Sequence, residues 1–411
     1  MGIRGTSWTT QIRYRRVERS RSRAGGNLLS GPGPFPRSRA NWTSRSKPVE
    51  AMGRAWPKCA LQGLWIVAAL FSLLAAWNFA LAQQVQSPPD LQPDFTVVVL
   101  PDTQYYTEGE QGAKMFTAQT RWVAKNKKKQ NVKAVIGLGD IVDDGNSTAE
   151  WQKADSAYRI LDKAGVPYAP VLGNHDYDSL GHAGNRAAKG YNTYFGPSRF
   201  SGYSWYGTSY PAGSNENFYI KFSAGPKSYL VLALELYPRA EALEWAQGVV
   251  EANPDKKIVV ATHSYLLGNG KRIVKGSEGG PQVYGLASAN DNDAEEMWTK
   301  LIKKDKNIIL VVCGHVGPLD GSTVMARSSD VGDNGNLVHQ LLADYQFVTN
   351  GGKWPPRPPA NYQFVPNGGS GYMRVMKFRP SKRIIEVTTY SPFLKANLTD
   401  ASNLFTLEYS D

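Results

Sequence analysis

Five short stretches carry side chains able to hold a metal ion and move a proton. They are Leu100-Pro101-Asp102-Thr103-Gln104, Gly139-Asp140-Ile141-Val142-Asp143, Gly173-Asn174-His175-Asp176, Thr262-His263-Ser264 and Cys313-Gly314-His315. Of the chain's five histidines, three fall in these stretches. Asp and Asn offer hard oxygens and His a borderline nitrogen, a mixed set that suits Zn, Mn, Fe or Ni better than Mg alone. A carboxylate at a strand end, such as Asp140, can bridge two ions roughly 3.5–4 Å apart. The glycines at 139, 173 and 314 are expected to permit tight turns that aim the next side chain upward. A lone Gly-Asp means little, whereas all five stretches in this order call for a pocket holding one or two divalent metals above a sheet.

The elements that position them can be read from the apolar pattern. Phe95–Leu100 (FTVVVL) is a continuous apolar run, expected to be a strand buried on both faces. Further strands are predicted at Val132–Leu138, Tyr168–Leu172, Asn217–Phe222, Tyr229–Leu234, Lys257–Thr262 and Asn307–Val312. Helices are predicted around Lys114–Gln130, Thr148–Ala164 (capped by Ser147 or Asn146), Arg239–Ala252 and Asp293–Lys304. Alternating strands and helices mean parallel βαβ units, and ligands collect at the carboxyl ends of such strands. After residue 320 the helical patterns stop, and Thr323–Ala326, Leu337–Asp344, Tyr372–Phe378 and Ile384–Tyr390 read as antiparallel strands. The sum is one α/β sandwich with two facing sheets, over residues 94–411, and no second catalytic domain.

Two segments fit this scheme less directly. Residues 177–216 are rich in Gly, Tyr and Ser with little periodicity; a loop this long is packed by its own aromatics or serves a substrate. Tyr345-Gln346-Phe347-Val348-Thr349-Asn350-Gly351-Gly352 recurs 17 residues later as Tyr362-Gln363-Phe364-Val365-Pro366-Asn367-Gly368-Gly369. One short copy is too little for a solenoid, and this 345–369 duplication is assigned no function.

The formal charge of +12 over 411 residues invites a nucleic-acid reading, but residues 1–58 hold thirteen Lys or Arg against two Glu. The remainder is near neutral, so no basic groove and no nucleic-acid partner are expected for the mature domain. Residues 61–82 are almost wholly apolar, follow a short basic stretch and end in Ala80-Leu81-Ala82. Residues 52–82 therefore read as a cleaved signal peptide, with an uncleaved membrane anchor as the alternative. Residues 1–51 read as an Arg-rich disordered leader before a true start at Met52, and 83–93 as a linker. The expected location is secreted or periplasmic, without stable membrane insertion once the signal is removed. Only Cys59 and Cys313 are present, so the mature chain has no intrachain disulfide, and Cys313 is a core residue.

The order of the five stretches resembles the calcineurin-like metallophosphoesterase family, in which Asp-x-His, Gly-Asp-x-x-Asp, Gly-Asn-His-Asp/Glu, a lone His and Gly-His-x-His follow one another. The resemblance covers about residues 94–320 and implies a four-layer α/β/β/α sandwich of two mixed sheets. It implies one or two divalent metals and hydrolysis of phosphate mono- or diesters by in-line attack of a metal-held hydroxide. On this resemblance Asp102 and Gln104 serve the first metal, Asp140 bridges, and Asn174, His263 and His315 complete the second. His175 protonates the leaving alkoxide or stabilises the transition-state charge, oriented by Asp176. Tyr105 and Tyr106 follow the first motif and are candidates to line a pocket for a small phosphate ester. Two departures fall on the first metal: Gln104 stands where the family has His, and Gly317 where the second His of Gly-His-x-His would be. These changes predict a weaker or oxygen-rich first site, and they leave open a non-catalytic metal- or ligand-binding module on the same scaffold. An amidase or lactonase is disfavoured, because the His-x-His-x-Asp-His motif is absent.

Overall fold

Strand β1 (Phe95–Leu100) is buried along its whole length. Phe95, Val97 and Val99 lie in a core between two sheets, whereas Val98 and Leu100 join the core beneath the helices. Alternate side chains of one apolar run thus serve two interfaces, as the period of two along a strand requires. The computed structural model describes residues 92–179, 181–286, 288–317, 325–346, 348 and 369–409. The 1–51 leader, the 52–82 signal segment, most of the 83–93 linker and most of the 345–369 duplication lie outside the described residues. All described residues belong to one compact unit, Val85–Asp411. No helix among them is long and apolar enough to cross a membrane.

The first sheet runs β13 (Ala396–Leu398), β12 (Ile384–Ser391), β11 (Met373–Arg379), β1, β2 (Val132–Gly137), β3 (Tyr168–Pro170), with β14 (Phe405–Glu408) also paired to β12. Strands β1 to β3 are parallel, and β11 to β14 join antiparallel. The second sheet runs β4 (Tyr206–Tyr210), β5 (Asn217–Ala224), β6 (Lys227–Leu234), β7 (Lys256–Thr262), β8 (Ile308–Cys313), β10 (Leu337–Leu342), β9 (Arg327–Val331). Its parallel part is β6, β7, β8 and β10. Helices α1 (Tyr105–Glu108) and α2 (Glu110–Asn126) link β1 to β2, and α3 (Thr148–Ala164) links β2 to β3. Met115, Phe116, Val123, Trp151 and Leu161 from α2 and α3 pack with Val98, Leu100 and Val135. On the second sheet, α6 (Ala240–Glu251) and α7 (Ala294–Lys300) bring Ala246, Val250 and Met297 against a core that includes Leu232, Val260 and Val311. The result is a four-layer α/β/β/α sandwich of two mixed sheets.

Helix α3 has the predicted bounds because both ends are signalled locally. Ser147 Oγ accepts the Glu150 N–H at 3.3 Å, and Gly165 closes the helix at φ 60°. Two expectations fail after residue 320. Thr323 and Val324 lie outside the described residues, Met325 and Ala326 are in no strand, and the strand that follows is Arg327–Val331, a half-exposed edge strand with no apolar run to announce it. Leu337–Leu342 is not purely antiparallel: it pairs parallel with β8 and antiparallel only with β9. Its buried apolar run fits that interior, parallel place. The segment 177–216 holds two short helices, α4 (Lys189–Phe195) and α5 (Pro197–Phe200), and strand β4. Tyr191, Phe195 and Phe200 are fully buried there, so the aromatics pack the loop itself.

Candidate metal centre

The strand ends aim the motif side chains into one place by a shared backbone device. Asp102 after β1, Asp140 after β2 and His315 after β8 have φ of 40°, 46° and 73°. Left-handed backbone costs about 1–2 kcal/mol per non-Gly residue and collects at functional sites. Here it is secured by side-chain bonds: Asp102 Oδ1 accepts the His315 N–H at 2.9 Å, and Asp140 Oδ1 accepts the His175 N–H at 3.0 Å. Only Gly139 of the three motif glycines needs positive φ, at 98°. Gly173 and Gly314 are required for room. A Cβ on Gly173 would lie 2.3 Å from Asp140 Oδ1, and one on Gly314 would lie 2.1 Å from Asp102 Oδ2.

Asp140, His263 and His315 each offer a ligand atom within 4.8 Å of the others. His263, wholly buried, is the hub. Its Nδ1 faces the Leu138 carbonyl at 2.8 Å, which can only accept, so Nδ1 carries the proton. Its Nε2 presents a lone pair when the ring is neutral, although the penalty of burial on the charged form is outweighed by Asp140, which raises the His263 pKa. That atom faces Asn174 Oδ1 at 3.0 Å, Asp140 Oδ1 at 3.2 Å and His315 Nδ1 at 2.9 Å. When both imidazoles turn lone pairs inward, four ligand atoms converge here, an arrangement complementary to a cation. Tyr284 Oη meets His315 Nε2 on the far side of that ring. Burial disfavours ionised Asp140, but His263 and His175 outweigh it and hold the carboxyl below its ordinary range. Burial and the neighbouring His263 depress His315 to about 3, which keeps its nitrogen free to ligate.

The first-metal residues are differently disposed. Gln104 Nε2 donates to Asp140 Oδ2 at 3.3 Å and to Gln346 Oε1 at 2.6 Å, while Gln346 Nε2 donates to Asp344 Oδ2 at 2.9 Å. An ionised carboxylate only accepts, so Asp344 sets the direction of both amides. It turns the Gln104 nitrogen, not its oxygen, toward Asp140. Gln104 Oε1 and Asp102 Oδ2 are buried without a hydrogen-bond partner among the described residues. Burial and the charges of Asp344 and Asp140 push Asp102 well above the carboxylate range.

The structure corrects two of the assigned roles. Asp176 does not orient His175: it accepts Ile141 N–H at 2.8 Å, Val142 N–H at 3.1 Å and Gly173 N–H at 2.8 Å, clamping two motif loops together. Asp143 does the orienting, through its carbonyl at 2.7 Å from His175 Nδ1 and its carboxylate at 3.3 Å. Burial lowers the His175 pKa, but Asp140 and Asp143 overcome it and raise the imidazole to about 10. Tyr106 is a core residue in tilted contact with Phe116, and its hydroxyl accepts the Gly371 N–H at 2.9 Å. Tyr105 is half-buried, and burial and the Asp143 charge lift its hydroxyl to about 12. Sequence reading missed Asp344, Gln346 and Tyr284. Asp344 had one available signal: it lies two residues beyond β10, as His315 lies two beyond β8.

Residues 95–347 match the family model for calcineurin-like phosphoesterases, and the chain belongs to that family. It is 31% identical over 335 residues to a Bacillus subtilis (strain 168) protein described as uncharacterized protein YvnB; the match covers 80% of this chain and 22% of that one. The chain thus spans about a fifth of the length of this curated relative. Among solved structures, a purple acid phosphatase, PPD1, from yellow lupin (Lupinus luteus) seeds aligns at 14% identity with a TM-score of 0.45, over 78% of this chain and 55% of that one. GAP50, the anchor in the inner membrane complex of Plasmodium, aligns at 11% identity with a TM-score of 0.39, over 77% and 90%.

Proposed function

We propose that this chain is a metal-dependent phosphoesterase that hydrolyses small phosphate mono- or diesters and works in a secreted or periplasmic setting. One observation carries the reading: the acceptor cluster of Asp140, Asn174, His263 and His315 adjoins the imidazole of His175. The donor set fits divalent Mn, Fe, Zn or Ni, with His263, His315, Asn174 and Asp140 as ligands to one ion and Asp102 and Asp140 to another. When bound, such ions supply Lewis acidity and a nucleophile at neutral pH.

The protein's own part is positioning and proton transfer. His175 Nδ1 is committed to the Asp143 carbonyl, so Nε2 is the atom that delivers a proton to the departing alkoxide. Asp140 accepts the His175 backbone N–H and so ties the acid to the ligand cluster. Asp176 holds the Ile141, Val142 and Gly173 amides, which keeps the two loops in register. Tyr105, half-buried beside this cluster, is the remaining candidate to contact the ester.

Metal content and turnover of p-nitrophenyl phosphate and its bis ester, with Mn, Zn, Fe or Ni added, test the reading. Asp140→Asn is expected to lose metal and activity together. His175→Ala is expected to retain metal and lose roughly 10²–10⁴-fold in kcat. Metal binding without hydrolysis of any ester would favour the binding-module alternative, which the amide nitrogen of Gln104 against Asp140 also favours.

A further inference from the structure

We propose that the face opposite the metal centre is a docking surface for an anionic lipid bilayer, whose phosphate headgroups meet an array of exposed lysines. Three observations carry it: where the charge lies, a cavity within that face, and the end at which the chain enters.

The charge is segregated although its total is small. The candidate ligands follow the carboxyl ends of parallel strands, so the turns leading into those strands lie at the opposite end. Lys128 and Lys129 sit between α2 and β2, Lys163 in the last turn of α3, Lys227 at the start of β6, Lys306 just before β8 and Lys382 between β11 and β12. Lys382 belongs to this end because Phe378 of β11 pairs with Phe95, the first residue of β1. All six are exposed, and none forms an ion pair among the described residues. The acids beside them are mostly engaged: Asp94 and Glu386 pair with Arg379, Asp255 with Lys256 and Asp333 with Lys303. Glu251, Asp305 and Glu408 stand against the six lysines. A near-neutral chain with one lysine-rich end has a field that orients it on a negative surface. Lysine is a compact, strongly hydrated charge suited to diffuse attraction by headgroups, whereas arginine suits bidentate capture of one phosphate. The six come from separate turns of both sheets and follow no single element, which fits a plane better than a nucleic-acid strand.

A cavity of about 370 Å³ opens at the same end. Lys221, Lys256, Ser204 and Ser228 line it with ammonium and hydroxyl groups, and Trp205 and Phe222 with rings. Lys221 is exposed and forms no ion pair among the described residues; Trp205 is half-buried and stacks on Tyr203 at 4.8 Å. Trp and Tyr rings favour the headgroup level of a bilayer, where one edge is apolar and the other wet. Cationic and hydroxyl groups beside such a ring match the chemistry of a phospholipid headgroup.

The chain also enters at this end. Pro93, just ahead of β1, lies against the β5–β6 turn, where a Cβ on Gly225 would be 2.7 Å from Pro93 Cδ. Only residues 83–91 separate Gln92 from the apolar run 61–82. Such a stretch spans no more than about 35 Å fully extended. If that run stays in a bilayer, it tethers the lysine face beside the headgroups and leaves the metal centre facing away. If it is cleaved, the lysines hold the domain by charge alone.

The test is flotation of the full chain with vesicles of phosphatidylcholine alone or with one-third phosphatidylglycerol, at low and high salt. Because the apolar run binds either vesicle, the readout is the ratio of anionic to neutral affinity. Wild type should prefer the anionic vesicles by about tenfold or more, and high salt should abolish the preference. Lys129→Gln, Lys227→Gln and Lys306→Gln combined should lower the ratio by about tenfold or more, given roughly fivefold per lysine at the surface. The same three changed to Arg keep the charge and should bind like wild type, which separates lost charge from lost folding. Lys114→Gln, Lys189→Gln and Lys271→Gln combined remove equal charge away from this face and should leave the ratio unchanged. Equal binding to both vesicles by wild type, or equal losses in the two Gln triples, would overturn the inference. So would duplex DNA that competes the protein off anionic vesicles at equal phosphate concentration, since the face would then read polyanions of any kind.

Discussion

His175 and its neighbours show how two carboxylates in one motif divide the work. Asp143 touches the imidazole, while Asp176 touches only backbone amides. The consequences of removing each should differ in kind. Asp143→Asn keeps the carbonyl contact but deletes a negative charge that holds the imidazolium. His175 then loses its proton at lower pH, so the alkaline limb of the kcat profile moves down while thermal stability changes little. The sign follows from the direction of the shift: a pKa raised to about 10 keeps the acid form populated below that value, and weakening its support brings the loss of activity toward neutrality. Asp176→Ala strands three buried N–H groups at roughly 1–3 kcal/mol each and should unfold the motif loops. Melting curves and pH–rate profiles on the two variants separate the roles. An unchanged profile for Asp143→Asn would remove Asp143 from the catalytic account.

Among the elements, those whose ends are chemically marked could be read from sequence, and those held by distant partners could not. Ser147 and Gly165 bracket α3, and an unbroken apolar run announces β1, so both stood where expected. Strand β9, with its sequence Arg-Ser-Ser-Asp-Val, pairs along an edge and carries no such mark. Asp344 and Gln346 were hard to read as site residues: a place two residues beyond a strand is a weak mark, and their position depends on β10 lying beside β8, a fact of topology. Gln346 even sits inside the short repeat that drew no function. The loop after Asp176 is a further case. Arg186, at φ 49°, pairs with Glu235 at 3.1 Å and Asp291 at 2.8 Å and donates to the carbonyls of Leu236 and Tyr237. It ties residues 177–188 to the end of β6 and to the loop before α7. Arg186→Ala should destabilise the fold by about 3 kcal/mol, since it leaves the buried Asp291 carboxylate without its cation, whereas Glu235 keeps its pair with Arg239. Burial opposes ionisation of Asp291, but Arg186 holds its carboxyl below the ordinary range. That contribution is present above about pH 4 and is lost as pH falls through the depressed value, so Asp291→Asn should flatten the acid limb of the stability curve. Acid titrations followed by circular dichroism on the two proteins measure it.

Across the two sheets, the candidate ligands come from opposite halves of the sandwich. Asp102, Asp140 and Asn174 follow β1, β2 and β3 of the first sheet, and His263 and His315 follow β7 and β8 of the second. The core between the sheets is apolar along most of its length, from Phe95 and Phe378 to Val231 and Ile309. At the rim the packing gives way to carboxylates and imidazoles, three of which can share one ion. An ion bound there is a cross-link between sheets as well as a chemical tool. Binding to the folded state alone stabilises by RT ln(1 + [L]/Kd), about 2.7 kcal/mol at a hundredfold excess over Kd. A chain of this size should gain about 3–4 °C in Tm from that amount. The gain should shrink as pH falls, because protons compete with the ion for the same carboxylate oxygens and imidazole nitrogens. Scanning calorimetry of chelator-treated and Mn²⁺- or Zn²⁺-loaded protein at pH 7 and pH 5 checks both statements. If the ion joins the sheets, Asp140→Asn should abolish the shift at both pH values, whereas His175→Ala, which removes no ligand, should retain it. A shift that survives Asp140→Asn would mean the ions bind elsewhere, and the rim cluster would not be the metal centre.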